Sequence, residues 1–320
     1  MMSRARLVLV AAGALAGAAT AGGVALAWEA PTTHAGLTER AALTSDLHTR
    51  LSESFGLDGG LFAPLTVPPA DAAPLFALLG RLPPTEGYVP DGRGQLTALG
   101  WLVAGSVVAD TPRQFAANHF FLPPTGHGLT SATVSGTDLL AHKVRAKAAG
   151  SSVITDGVAA TAWIKSDANP MGVAGFLAQY TRAVSSRTPA ERQRALAGTL
   201  LAAGAITHVL EDMGVPGHVR NDLASHLDPV GPGQADVGSR FERIAALAYG
   251  RLGIPAAGDP VAAPKSLTAL FSNAAHTGLA DRTFAGYFSA HTLPGAVTIT
   301  SQSRDADIAR QVKARLSWPA

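Results

Sequence analysis

Apolar residues recur at helical intervals along much of the chain, and no stretch alternates for long enough to make a sheet. Leu37, Ala41, Leu47 and Leu51 place a helix over residues 34–56. A Gly/Pro-rich loop follows from Gly59 to Pro69, then a short helix over Ala70–Leu79 and a loop with turn chemistry from Pro83 to Arg93. Thr97–Ala109 is apolar almost throughout, as suits a helix buried on every side. After a loop at Pro123–Gly128 a helix is expected over Thr137–Ala148, and 156–186 carries two helical runs broken near Asn169-Pro170.

The clearest helix start is Thr188-Pro189-Ala190-Glu191, where Thr188 caps, Pro189 takes the first helical position and Glu191 can close a capping box. This helix should run through Leu200 and His208 to about Met213, and Gly214 and Pro216 should stop it. A loop at Asp228–Gly238, a helix over Arg240–Leu252 and a final polar helix near Asp305–Leu316 complete the pattern. The fold class it predicts is all-α, a single multi-helix domain with long loops.

Composition strengthens that reading. Only 6% of the 320 residues are aromatic while 34 are Gly, a balance that suits closely packed helices better than a β-sandwich. The absence of cysteine excludes disulfides, thiolate metal sites and cysteine nucleophiles. Any metal site must therefore use His, Asp, Glu and backbone groups.

The start of the chain reads as a signal peptide: Arg4 and Arg6, an apolar stretch from Leu7, and an Ala25-Leu26-Ala27 cleavage signal. The expected organisation is residues 1–27 as leader and 28–320 as the domain, exported to a periplasm or to the medium, with Trp28 as the new terminus. The alternative is an uncleaved membrane anchor. Cleavage removes Arg4 and Arg6 and no acid, so the 25 basic residues fall to 23, level with the 23 acidic ones. A formally neutral chain without a long Lys/Arg run argues against a duplex nucleic-acid partner.

The candidate chemistry concentrates in His208-x3-Asp212-x5-His218. His208 and Asp212 are four apart and share a helix face, and Pro216 lets His218 turn back toward it. Imidazole with carboxylate is what zinc needs when thiolates are missing, although a solvated helix end gives the same spacing. Asp110 flanks Thr111-Pro112, where an N-cap is the plain alternative, and His119 stands among apolar residues, where a core histidine bonded to backbone is the alternative. At the processed terminus the amine and carbonyl of Trp28 can chelate a metal, with His34 close by.

Together these residues resemble the superfamily of zinc-dependent phospholipases C and fungal single-strand-specific nucleases, in its bacterial phospholipase C-like branch. The resemblance runs from Trp28 to about Ser289 and rests on Ala27-Trp28, His34, Asp110, Asn118-His119-Phe120 and His208 through His218. Softer matches are Arg220-Asn221-Asp222, Phe241-Glu242 and Phe288-Ser289 with Thr292. It implies an all-helical fold with a cleft that holds up to three zinc ions. Asp110, His119, His208 and Asp212 would hold the first; Trp28, His34 and Asp212 the second, with Asp212 bridging. His218 and Glu242 would serve the third. There the chain departs from the family, with Gly238 where a histidine is usual four residues before Glu242; Asp222, ahead of His226, could substitute, and the alternative is a weak or empty third site.

The activity implied is hydrolysis of phospholipid head-group phosphoesters by a metal-activated water, with Asp110 orienting the water or taking its proton. A phospholipid or other phosphoester substrate and transient contact with a membrane surface follow from the same resemblance. Phe55, Phe62, Phe120 or Tyr287 would meet acyl or choline groups if they are not simply core residues. Two other classes stay open: a single-strand nuclease or nucleotidase, which needs stacking aromatics and a basic track, and a non-catalytic zinc-stabilised binding protein.

Overall fold

A computed structural model describes residues 30–79, 95–111, 113–131, 140, 143–144, 156–222, 242, 245 and 266–286. Its described part is mostly helical. The expected leader, Trp28, His226, Tyr287 and the helix expected near 305–316 lie outside these residues. So do most of the helices expected over 137–148 and 240–252, of which Leu140, Lys143, Val144, Glu242 and Ala245 are described and helical.

A π-turn at Ala30–His34 leads into α1 (Ala35–Thr44), and α2 (Leu47–Phe55) follows. The single helix expected over 34–56 is thus two, because Ser45 takes an extended conformation at φ −93° and ψ 173°. α3 spans Pro69–Leu79, α4 Ala98–Val108, α5 Ala160–Trp163, α6 Val173–Ser185 and α7 Pro189–Glu211. The short helices α8 (Pro216–Val219), α9 (Leu267–Phe271) and α10 (Leu279–Gly286) complete the described set. One correction to a purely helical reading is a small antiparallel ladder of β1 (Pro64–Thr66) and β2 (Gln95–Thr97), with Leu65 opposite Leu96. Three residues a side are too few to leave an alternating pattern in the sequence.

Side-chain caps open two of the helices, and at Thr188 the cap is the expected one. The Thr97 hydroxyl accepts from the Gly100 amide at 3.0 Å and opens α4. The Thr188 hydroxyl accepts from the Glu191 amide at 3.3 Å and donates to the Glu191 carboxylate at 2.8 Å, so the capping box closes through the hydroxyl. Pro216 behaves differently from expectation. α7 ends at Glu211, a 3-10 turn spans Asp212–Gly214, and Pro216 is the first residue of α8. Proline forces its predecessor into extended backbone, and Val215 at φ −94° and ψ 120° makes the corner.

α4 and α7 form the frame. α4 is buried at every position but Gly100, so its apolar run needed no amphipathic stripe. α7 is 23 residues long, about 35 Å at 1.5 Å per residue. The two helices meet backbone to backbone through two glycines. A Cβ on Gly105 would lie 1.9 Å from the Leu201 carbonyl oxygen, and one on Gly204 would lie 1.9 Å from the Leu102 carbonyl oxygen. This explains much of the value of glycine inside these helices, where it otherwise costs about 1 kcal/mol against alanine.

An apolar cluster from α1 to α4 with α6 and the first half of α7 fills one end, with Leu51, Leu65, Trp101 and Leu196 among its members. A second, with Phe121, Trp163, Met213 and Phe271, fills the other. Gly204→Ala should destabilise the protein by about 1–3 kcal/mol through forced separation of α4 and α7. A melting temperature lowered by about 4–10 °C is the expected reading, and an unchanged one would rule out backbone contact at this crossing.

Candidate metal centre

The junction between the two apolar clusters is polar. α7 delivers His208 from its last turn and Asp212 one residue past its end; α4 delivers Asp110 two residues past its own. The π-turn contributes His34, the 3-10 helix Arg113–Asn118 leads to His119, and α8 carries His218. With Glu242, each of these residues is at most 1% exposed. Burying so many ionisable groups is costly unless they are paired or hold a cation.

Asp212 is the centre of the arrangement. Its Oδ1 lies 3.3 Å from His34 Nε2 and 3.9 Å from His218 Nε2. Its Oδ2 lies 3.3 Å from His208 Nε2 and 3.0 Å from His119 Nδ1. The two oxygens of one carboxylate thus face two different sets of nitrogens. Asp110 adds Oδ1 at 3.0 Å from His119 Nδ1 and Oδ2 at 3.5 Å from His208 Nε2. Glu242 Oε1 lies 3.7 Å from His218 Nε2.

These separations can be tested against a metal. Atoms bound at 2.0–2.2 Å to a tetrahedral zinc stand about 3.3–3.6 Å from one another. Three of the nitrogen–oxygen distances, at 3.3, 3.3 and 3.5 Å, fit that edge and exceed the usual N–H···O range. The buried Nε2 atoms of His34 and His208, both Asp110 oxygens and Asp212 Oδ1 also have no hydrogen-bond partner. Two groups can hold an ion: His34 with His208 and Asp212, and Asp110 with His119 and His208. The residues therefore fit a cation, and their nitrogen-rich donor set suits a transition metal better than calcium or magnesium.

Hydrogen bonds on the far side of the rings orient the imidazoles. His34 Nδ1–H donates to Glu211 Oε2 at 2.6 Å, His208 Nδ1–H to the Ser106 carbonyl at 2.6 Å, and His218 Nδ1–H to the His119 carbonyl at 2.8 Å. Each partner can only accept, so the proton must be on Nδ1, and the Nε2 lone pair turns inward in a neutral ring. His119 differs, presenting Nδ1 to Asp110 and Asp212. It is not a core histidine bonded to backbone. Nor is Asp110 an N-cap, since neither of its oxygens accepts a hydrogen bond. The His34 and His208 rings stack at 3.7 Å between centroids, and Phe120 stacks on His218 at 4.3 Å.

The electrostatics without metal are those of a tight ion cluster. Burial alone opposes the charged form of every member. His208 is nevertheless held well above the usual imidazole value by Asp212 and Asp110. His34 and His119 are also raised against burial, His34 by Asp212 and Glu211 and His119 by Asp110 and Asp212. Burial would likewise lift the carboxyls of Asp110 and Asp212. His208 and His119 instead pull Asp110 below the usual carboxylate range, and His218 and His208 do so for Asp212.

The structure thus brings together His34, Asp110, His119, His208 and Asp212, with His218 and Glu242 adjoining through Asp212. Asp222 is also buried, its amide donating to the Gly217 carbonyl at 3.0 Å. Its carboxylate acts on Arg220, whose guanidinium is pushed down to about 10 by burial with Asp222 opposing the shift. Among the described residues, Asp222 joins no three-ligand group with His218 and Glu242. Of the described candidate aromatics, Phe120 stacks on His218, Phe62 is exposed, and Phe55 packs edge-on against Tyr180 at 6.0 Å. Sequence reasoning missed Glu211 and the Ser106 carbonyl. Glu211 had a signal in its place beside Asp212, whereas a backbone carbonyl has none.

No family model matches this chain, and neither does any characterised protein or solved structure. Among the described residues, no helix is long and apolar enough to cross a membrane.

Proposed function

We propose that this chain is an exported zinc-dependent phosphodiesterase of the phospholipase C type, within the superfamily that its motifs resemble. The observation that carries the reading is Asp212, whose two oxygens each face a separate set of buried ligand atoms. A carboxylate shared in this way is what a dinuclear site requires. Asp110, His119 and His208 would hold one ion with Asp212, and His34 would hold the other with Asp212 and the Trp28 terminus. His218 and Glu242 would serve a third ion.

Zinc, when bound, supplies Lewis acidity toward a phosphoryl oxygen and lowers the pKa of a water to near neutrality. The chain's own part is to hold and orient. Asp212 fixes the spacing of the two ligand sets, and the far-side hydrogen bonds lock three of the imidazoles. Asp110 is ionised and able to accept a hydrogen bond, so it can align the attacking water.

The test is elemental analysis of the purified mature protein followed by assay on phosphatidylcholine and single-stranded DNA. At least two zinc ions per chain and release of a phosphorylated head group are expected. Cleavage of the DNA alone would transfer the protein to the nuclease branch. Bound zinc without turnover of any phosphoester would make it a zinc-stabilised binding protein.

A further inference from the structure

We propose that Glu211 is the positioning residue for the His34 side of the centre, fixing His34 as an Nε2 ligand and raising its basicity; this rests on the reading of the cluster as a metal centre. The geometry is a clamp made by consecutive residues. Glu211 Oε2 accepts a hydrogen bond from His34 Nδ1–H at 2.6 Å, while Asp212 Oδ1 faces Nε2 of the same ring at 3.3 Å. One peptide bond past the end of α7 therefore separates the group that orients the imidazole from the group that shares its ion.

The unequal distances distinguish this from a plain ion pair. A doubly protonated His34 held only by charge would donate a hydrogen bond to each carboxylate. Nε2 makes none, and its 3.3 Å separation matches two ligands on one metal. Glu211 is also held from its other side, because the Thr38 hydroxyl donates to Oε1 at 2.9 Å. His34 and Thr38 are four residues apart, on one face where the π-turn enters α1. Glu211 thereby joins the first described turn of the chain to residues more than 170 positions away. Its charge matters as well as its shape. A carboxylate behind a ligating imidazole strengthens the ligand, and loss of such a partner typically costs about 10–100-fold in metal affinity.

The experiment uses the full mature chain, loaded with zinc and titrated with a competing chelator. A parallel cobalt(II)-substituted sample is read by visible absorption. In Glu211→Gln the amide oxygen can still accept from His34, and the amide nitrogen can donate to the Thr38 hydroxyl. Shape is kept and charge is lost. One ion should weaken by about 10-fold or more, the others should keep wild-type affinity, and the cobalt bands should shift. Glu211→Ala should weaken the same ion further, and Thr38→Val only a few-fold. In a His34→Ala background, Glu211→Gln should cost nothing more, because the residue it acts through is gone. Wild-type affinities and unchanged cobalt bands in Glu211→Gln, even with a lowered melting temperature, would overturn the proposal and leave Glu211 a structural tie. Equal loss of every ion would also overturn it. A wild-type protein that binds no zinc or cobalt would instead remove the metal-centre reading itself.

Discussion

Asp212→Ala should, on the zinc phosphodiesterase reading proposed above, lose at least one zinc per chain and lower activity by about a thousandfold. The carboxylate faces His34 through Oδ1 and His119 and His208 through Oδ2, so its removal disturbs both ligand sets at once. Lewis-acid stabilisation of a phosphoryl transition state is worth several kcal/mol. Each 1.4 kcal/mol is about tenfold in rate, so about 4 kcal/mol gives three decades. Single-sided ligands should matter less for metal content: His34→Ala should cost one ion and leave the Asp110–His119–His208 group loaded. Zinc analysis beside activity, with circular dichroism to verify helix content, makes the comparison. An Asp212→Ala protein with wild-type zinc content would refute the bridging role.

Chelation should reverse the pH dependence of stability. In the metal-free protein the raised pKa values of His34, His119 and His208 mean that protonated histidine is favoured in the folded state. That contribution is fully present below about pH 6.5 and is lost as pH rises through the folded values. Asp110 and Asp212 have lowered values, so their contribution is present above about pH 3.9 and is lost as pH falls further. The metal-free protein should therefore be most stable in mildly acidic solution and weaken toward pH 8.5, where buried carboxylates face one another without a cation. The zinc-loaded protein should do the opposite between pH 5.5 and 7.5, since protons compete with the metal for imidazole. At pH 7.5, zinc at a hundred times its dissociation constant adds about 2.7 kcal/mol per site. Removing two ions should then lower the melting temperature by about 10 °C or more. Melts with and without chelator across this range test both slopes, and parallel slopes would exclude the cluster as a metal site.

Much of the helical frame was legible from local chemistry. The Thr188-Pro189 start and the continuous apolar run of α4 each act within a few residues, so sequence spacing reports them directly. His208 and Asp212 belong here too, because a helical turn dictates that residues four apart share a face. The break of the 34–56 helix at Ser45 was not legible, since no proline or glycine marks it. Nor was the β1–β2 ladder, whose strands are joined across about thirty residues and gain their order from the surrounding core. Pro216 was read as a stop because it cannot continue a helix; whether it also begins the next one depends on where Val215 turns the chain.

The site divides along the same line. The sequence by itself determined which residues have ligand chemistry, and that none of them is a thiol. It also determined that His208 and Asp212 project together. The resemblance implied that Asp110, His119 and His34 join them, but no local rule of the chain says so; the tertiary structure brings them together, with Gly105 and Gly204 letting α4 and α7 touch. The tertiary structure alone also assigned Glu211 to His34 and the Ser106 carbonyl to His208. The physical reason is range. Capping and helical periodicity are set by bonds within four residues, whereas a buried ligand set is fixed by packing across a hundred or more, where any of several acids or carbonyls could have filled each place.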